Sequence, residues 1–295
     1  MTEAAPAQGA AWFEETLHET VTGLGYAQRF RMTHVVHQLV TEHQSLVIFD
    51  TPKFGRVLAL DGAIQTTEGD EFIYHEMLTH VPILAHGRVR RVLIIGGGDG
   101  GTLREVLRHK AVETATMVEI DPTVIDLCKE YMPSLSAGAF DDPRTELLIA
   151  DGLKFVAETD QRYDVIIVDS TDPIGPGEVL FTEAFYADCK RCLTPGGILV
   201  TQNGVPMFQP QEATNSYRRL KPLFGDVSFF VTVVPTYVGG MMALGWATDD
   251  AALRRQPESV IAERFAAAGL DTRYYTPGVH VGCFSLPAYI GKLRV

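Results

Sequence analysis

The chain has 295 residues, 46% of them hydrophobic, with four cysteines and a formal net charge of −12. Four cysteines at this length exclude a disulfide scaffold, and no apolar run approaches the ~20 residues of a membrane-spanning helix. The acidic balance argues against nucleic acid and for cationic ligands.

The N-terminus, MTEAAPAQGAA, has neither a basic segment nor an apolar core. It is expected to be a disordered extension over residues 1–11 and not a secretory signal, which places the protein in the cytosol. Residues 12–70 then read as a small antiparallel β domain. Partial alternation marks Ala27–Met32 and Val35–Val40. SLVIFD (45–50) and RVLAL (56–60) flank a turn at 51–55, and Asp61-Gly62 turns the chain into Ala63–Thr67. From Asp70 the spacing of Phe72, Ile73, Met77, Leu78 and Val81 becomes helical, with Gly87 as the stop. His75-Glu76 with His80 suggests a metalloprotease helix, but that motif needs histidine at 79, where Thr79 stands. No metal site is expected.

At residues 92–101, VLIIGGGDGG, an apolar strand runs into a glycine loop and then a helical pattern. Gly96, Gly98 and Gly101 fit the G-x-G-x-x-G spacing that brings backbone close to a nucleotide-like ligand at the switch point of a doubly wound sheet. Alone, this fits NAD, FAD or an S-adenosyl compound. Strands then alternate with helices through residues 71–295. Thr116–Glu119 is followed by a helix from Pro122 to Tyr131. Leu147–Ala150 ends in Asp151-Gly152, and Tyr163–Val168 ends at Asp169. Thr182 caps a helix through Leu193, and Pro195-Gly196-Gly197 turns into Ile198–Gln202. Pro210–Phe224 reads as helix, and Val227–Val234 with Met241–Thr248 as a closing strand pair. The pattern predicts an α/β fold with a mostly parallel sheet. Cys189-x-x-Cys192 lies on a helical pattern with no second pair, so core or helix-surface cysteines are expected, not zinc ligands or a redox pair.

The chemistry collects at strand ends. Asp99, Glu119, Asp151, Asp169 and Asp172 all fall at or just past the carboxyl ends of predicted strands, the rim that forms the binding crevice of such a sheet. Glu119, 18 residues after Gly101, stands where an acid binds both ribose hydroxyls of an adenosine ligand. Helix capping is the competing reading for Asp151 and Asp172. So many acids on one rim call for a positively charged ligand.

IIGGGDG, MVEID, ADG, VDSTDPIGP and PTYVGG, in this order, resemble the polyamine aminopropyltransferases. LDGAIQTTEGDEFIYHEMLTHVPILAHG resembles that family's linker between its β domain and its core. The resemblance covers residues 13–290 and departs at Gly69, where the family often has a basic residue. It implies a Rossmann-like, methyltransferase-like core, a homodimer or homotetramer, and no metal or bound cofactor. It implies that the co-substrate decarboxylated S-adenosylmethionine passes its aminopropyl group to putrescine, giving spermidine and 5′-methylthioadenosine. Cadaverine, agmatine or spermidine as acceptor, and methyl transfer from intact S-adenosylmethionine, remain alternatives.

By the same resemblance, Gln44, Gly96, Gly98, Asp99, Glu119, Asp151, Gly152 and Pro176 would bind the donor. Asp169 would be the proton acceptor, with Tyr74 orienting the amine. His75, Asp99, Asp169, Asp172 and Tyr237, with Gln65 and Gln202, would line the acceptor pocket. Ile174–Gly177 would be a closing flap. Physical chemistry supports Asp99: its carboxylate repels the α-carboxylate of intact S-adenosylmethionine and attracts the ammonium left after decarboxylation. At an effective dielectric of ~20, charges ~4 Å apart interact by roughly 4 kcal/mol before desolvation. Deprotonating an alkylamine at pH 7 costs about 4.6 kcal/mol, so a base is needed. Asp169 suits that role if its acidic neighbours raise its pKa.

Overall fold

The computed structural model describes residues 11–15, 25–41, 44–171 and 179–295, and the chain divides into two compact units at Asp70/Glu71. The first eleven residues are described only at Ala11, so the expected extension lies almost wholly outside the described residues.

The N-terminal unit is antiparallel. Strands β1 (Trp12–Glu14) and β2 (Arg29–Arg31) form one pair. Strands β3 (His34–Val40), β4 (Ser45–Thr51), β5 (Gly55–Leu60) and β6 (Ala63–Thr67) form a meander in that order. Asp61 and Gly62 both take positive φ, 48° and 80°, the two-residue turn whose twist suits a tight hairpin. Phe30, Phe49, Val57, Ala59 and Ile64 make the core of this unit. At Gly69 a Cβ would come within 2.7 Å of the Phe54 Cα, so this packing has no room for a side chain at the position of the departure.

The C-terminal unit is built on a seven-stranded sheet. Its strands are β7 (Arg91–Gly96), β8 (Thr114–Glu119), β9 (Thr145–Ile149), β10 (Tyr163–Asp169), β11 (Leu193–Gln202), β12 (Asp226–Val233) and β13 (Met241–Thr248). Across the sheet they run β9-β8-β7-β10-β11-β13-β12. The first five are parallel, while β13 pairs antiparallel with β11 and β12. On β7, Val92 and Ile94 enter one hydrophobic cluster and Leu93 and Ile95 the other; Val165/Ile167 and Ile166/Val168 do the same on β10. Both faces are therefore covered, which is why central strands read as unbroken apolar runs.

The order reverses between β7 and β10. Chain progress from β7 through β8 to β9 moves one way, and β10 returns to the other side of β7. The crevice of a doubly wound sheet opens at such a point. Helix α1 (Glu71–His86) packs on one face and is buried at all but Phe72 and His86. Helix α2 (Gly101–Leu107) follows β7, and α3 (Pro122–Tyr131) follows β8 with proline at its first position.

Several boundaries differ from expectation. Strand β9 covers Thr145–Ile149, two residues earlier than read, and β12 ends at Val233. Strand β11 already pairs at Leu193 with Tyr163, and the Pro195-Gly196-Gly197 segment is absorbed as a register shift before Ile198, so the proline and glycines bend a strand and do not precede one. Helix α6 (Glu183–Arg191) is capped by the Thr182 side chain on the Phe185 N–H, as expected, but stops short of Leu193. Between α3 and α6 lie the short α4 (Pro133–Ser136) and α5 (Gly152–Glu158). Helix α7 (Pro210–Leu220) ends four residues before Phe224. The C-terminal helices α8 (Glu258–Ala268), α9 (Pro277–Gly282) and α10 (Ala288–Gly291) have no counterpart in the sequence reading. All four cysteines are free and buried, Cys189 and Cys192 among them.

Candidate active site at the switch point

Strand β7 ends in the glycine loop, and the register of the parallel pair sets Gly96 opposite Asp169 at the end of β10. Gly97 donates its N–H to the Asp169 carbonyl at 2.9 Å. Gly96 and Gly97 have φ of 83° and 74°, a region glycine enters freely. A Cβ on Gly97 would stand 2.9 Å from Asp169 Oδ2. The loop thus lies against the aspartate, and only glycine permits it.

The Asp169 carboxylate is held from two helices. Tyr74 of α1 donates its hydroxyl to Oδ1 at 2.7 Å, and Thr102 of α2 donates to Oδ2 at 2.6 Å. Burial holds the Asp169 pKa above the usual carboxylate range, and Asp99 adds to this; His75, Thr102 and Tyr74 pull the other way. The expected rise is present, but burial outweighs the acidic neighbours as its cause. Burial, reinforced by Asp169, pushes the Tyr74 phenol well above its ordinary pKa, so it stays a donor at neutral pH. Tyr237 packs edge-on against Tyr74 with ring centroids 5.8 Å apart.

Asp99 accepts the Gly101 N–H at 2.7 Å and faces His75 Nε2 at 3.5 Å. The other ring nitrogen of His75, Nδ1, lies 2.6 Å from Glu71 Oε2, and Glu71 also holds Arg104 at 2.8 Å. Burial alone would discharge this histidine. The carboxylates of Asp99 and Glu71 overcome that and hold its pKa well above the ordinary value. Burial of Asp99 is likewise outweighed by His75, which lowers the Asp99 pKa. Signs therefore alternate along Asp99–His75–Glu71–Arg104. A Cβ at Gly101 would overlap the His75 ring, so the third glycine of the fingerprint serves helix packing.

Glu119, at the end of β8, is 8% exposed. Its Oε1 accepts the N–H groups of Ile120 and Asp121 at 2.8 and 2.9 Å. Burial without a cationic partner raises its pKa to about 7, with Asp121 and Asp169 contributing. Its Oε2 lies on the side of Gly98, where an added Cβ would come within 3.0 Å. Asp151 caps α5, accepting from the Leu153 and Lys154 N–H groups, so the capping reading holds for it; Gly152 is the first residue of that helix. Gln202 is buried at the end of β11 and accepts the Gly204 N–H.

Gln44 and Gln65 belong to the N-terminal unit. Gln44 closes the β3–β4 connection onto Thr41, and the Gln65 amide donates to the Ala63 carbonyl. Asp172, Pro176 and the flap Ile174–Gly177 lie outside the described residues. His75, Glu76 and His80 do not converge. Glu76 accepts three N–H groups from residues 273–275, and His80 lies 3.0 Å from Glu105. No group of three or more potential metal ligands occurs among the described residues. Nor is any helix of those residues long and apolar enough to cross a membrane.

Glu71, Thr102 and Arg104 enter this site without having been singled out in the sequence. Their partners lie 4, 67 and 33 residues away. Only the Glu71–His75 pair, one helical turn apart, carries a local signal.

Comparison with known proteins shows the same order of parts. Residues 71–257 match the "Spermine/spermidine synthase domain" and residues 11–68 the "Spermidine synthase tetramerisation domain". Polyamine aminopropyltransferase 1 of Pseudomonas aeruginosa is 59% identical over 278 residues, 94% of this chain and 96% of that protein. The polyamine aminopropyltransferase of Pseudomonas syringae pv. tomato is 58% identical over the same shares. A spermidine synthase crystallised with the transition-state analogue AdoDATO superposes with a TM-score of 0.90 at 38% identity, covering 100% of this chain and 98% of that one. The spermidine synthase of Thermotoga maritima superposes with a TM-score of 0.87 at 36% identity, over 100% and 97% of the two chains.

Proposed function

This chain belongs to the spermine/spermidine synthase family of polyamine aminopropyltransferases, and we propose that it transfers the aminopropyl group of decarboxylated S-adenosylmethionine to putrescine. The products would be spermidine and 5′-methylthioadenosine. The observation that carries the reading is the placement of Asp169, braced by Tyr74, one loop away from Asp99 at the switch point. One carboxylate there suits a donor ammonium and the other an acceptor amine.

On this reading the nucleoside lies across the glycine loop, with the ribose hydroxyls donating to Glu119 and the adenine near Asp151-Gly152. The donor's ammonium faces Asp99. The acceptor arrives as a diammonium, and Asp169 takes a proton from the near end, leaving a neutral amine and a carboxylic acid. The amine lone pair attacks the propyl carbon bonded to the sulfonium. The C–N bond forms as the C–S pair leaves to sulfur, so the sulfonium becomes a neutral thioether and the nitrogen becomes the cation. Tyr74 orients the amine, and His75, Tyr237 and Gln202 line the acceptor side. No metal or bound cofactor takes part.

We further propose assembly as a homodimer or homotetramer through residues 11–68, and residence in the cytoplasm, where the free thiols stay reduced. The test is a panel of amines with decarboxylated donor, reading methylthioadenosine release. Putrescine should give the highest kcat/KM. A higher value with cadaverine, agmatine or spermidine reassigns the acceptor, and no release with any amine removes the reading. Equal binding of intact S-adenosylmethionine would point to methyl transfer.

A further inference from the structure

We infer that Thr102 is a positioning residue for the Asp169 carboxylate: its buried hydroxyl pins Oδ2 from the first turn of α2 and leaves Oδ1, on the Tyr74 side, to face the amine. This rests on the reading of Asp169 as the proton acceptor.

Three features carry it. Thr102 is the second residue of α2, with no helical turn behind it whose carbonyl its hydroxyl could take. Thr102 instead reaches across 67 residues of sequence to Asp169, at 2.6 Å, with no exposed surface of its own. Glycine at 97 clears the approach, since a Cβ there would press on the same Oδ2. Tyr74 takes the other oxygen from a separate helix, so the carboxyl plane is fixed by two donors and not one. An ionised carboxylate offers about four acceptor positions. Two are occupied by these hydroxyls, and the rest stay open to the amine.

A donor to the ionised form favours that form. The other groups acting on Asp169 are Tyr74 and His75 from α1, Asp99 from the loop and Glu119 from β8, with Tyr237 acting through Tyr74. Thr102 is a neutral donor among them, so replacing it removes a hydrogen bond without changing the local charge.

The experiment compares Thr102→Val, Thr102→Ser and Asp169→Asn. The acid limb of the kcat/KM profile should move up by about one pH unit in Thr102→Val, giving a roughly tenfold loss one unit below the parental limb. Thr102→Ser should restore the parental limb, and the donor Kd should be unchanged in both. If Thr102→Val does not fold, Thr102→Ala is read in the same way. An unmoved limb, or equal shifts in Val and Ser, overturns the role of Thr102 while loss of turnover in Asp169→Asn leaves Asp169 in place. Full turnover in Asp169→Asn overturns both readings.

Discussion

His75 stands between two carboxylates, with Nε2 3.5 Å from Asp99 and Nδ1 2.6 Å from Glu71. Both ring nitrogens face acceptors, so the imidazolium is the form this cage selects. An imidazolium fixes Asp99 as an anion, because a protonated Asp99 would leave His75 with half its pairing. On the proposed reading, the donor ammonium then meets a carboxylate already ionised and oriented before it arrives.

Asp99→Asn should therefore weaken binding of decarboxylated donor by at least tenfold, about 1.4 kcal/mol or more. Binding of intact S-adenosylmethionine should hold or improve. Titration calorimetry with both ligands reads the ratio, and an unchanged ratio would remove Asp99 from donor selection.

Asp169→Asn should keep donor affinity within about twofold while kcat falls by 100-fold or more, the usual weight of a general base. Separate measurement of donor Kd and single-turnover rate distinguishes this from a folding defect.

Glu119 carries a pKa of about 7 because it is buried without a cation. Ribose hydroxyls donate best to the ionised carboxylate. Donor binding should therefore tighten as pH rises through 7, weaken below it, and release a fraction of a proton near pH 7. In Glu119→Gln the affinity should drop and its pH dependence flatten. An equally steep profile in the variant would locate the titrating group elsewhere.

Burial at His109 lowers its pKa to about 3, with His80 reinforcing the effect. The unfolded chain takes up that proton near pH 6.5, and the folded one does not until about pH 3. Stability is thus lost progressively as pH falls below 6.5, by up to about 1.4 kcal/mol per unit for this residue. His109→Gln should narrow the difference in melting temperature between pH 7 and pH 5, even if it lowers both. A constant difference would show that His109 does not couple to folding.

Much of the sheet is legible because strands covered on both faces are nearly continuous in Val, Ile and Leu; Val92–Ile95 and Val165–Val168 declare themselves, as do the acids that close them. The turn at Asp61-Gly62 and the cap at Thr182 are readable from local chemistry alone. The start of β11 is not, because proline and two glycines normally end a strand and here only shift its register. The site divides along the same line. Glu119 and Asp169 follow from position at strand ends, and Asp99 from the glycine loop that leaves β7. Thr102 and Arg104 do not, since their roles depend on which helices meet, and nothing within a few residues records that. His75 shows the remaining difficulty: its place beside the site is readable by family likeness and its Glu71 contact from helical spacing, but its Asp99 contact appears only when α1 is packed against the loop.

The reversal of strand order between β7 and β10 also divides the chain in time. Gly96, Glu119 and Asp151 emerge from synthesis in succession, on strands that can pair as they appear. Asp169 arrives afterwards and must insert on the far side of the first strand, and its two braces, Tyr74 and Thr102, are by then 95 and 67 residues behind it. On the proposed reading, a chain stopped at Glu158 would carry the nucleoside-facing acids with no base among them. On that reading, capture of the donor and consumption of it are written into successive lengths of one polypeptide, and only the complete sheet joins them.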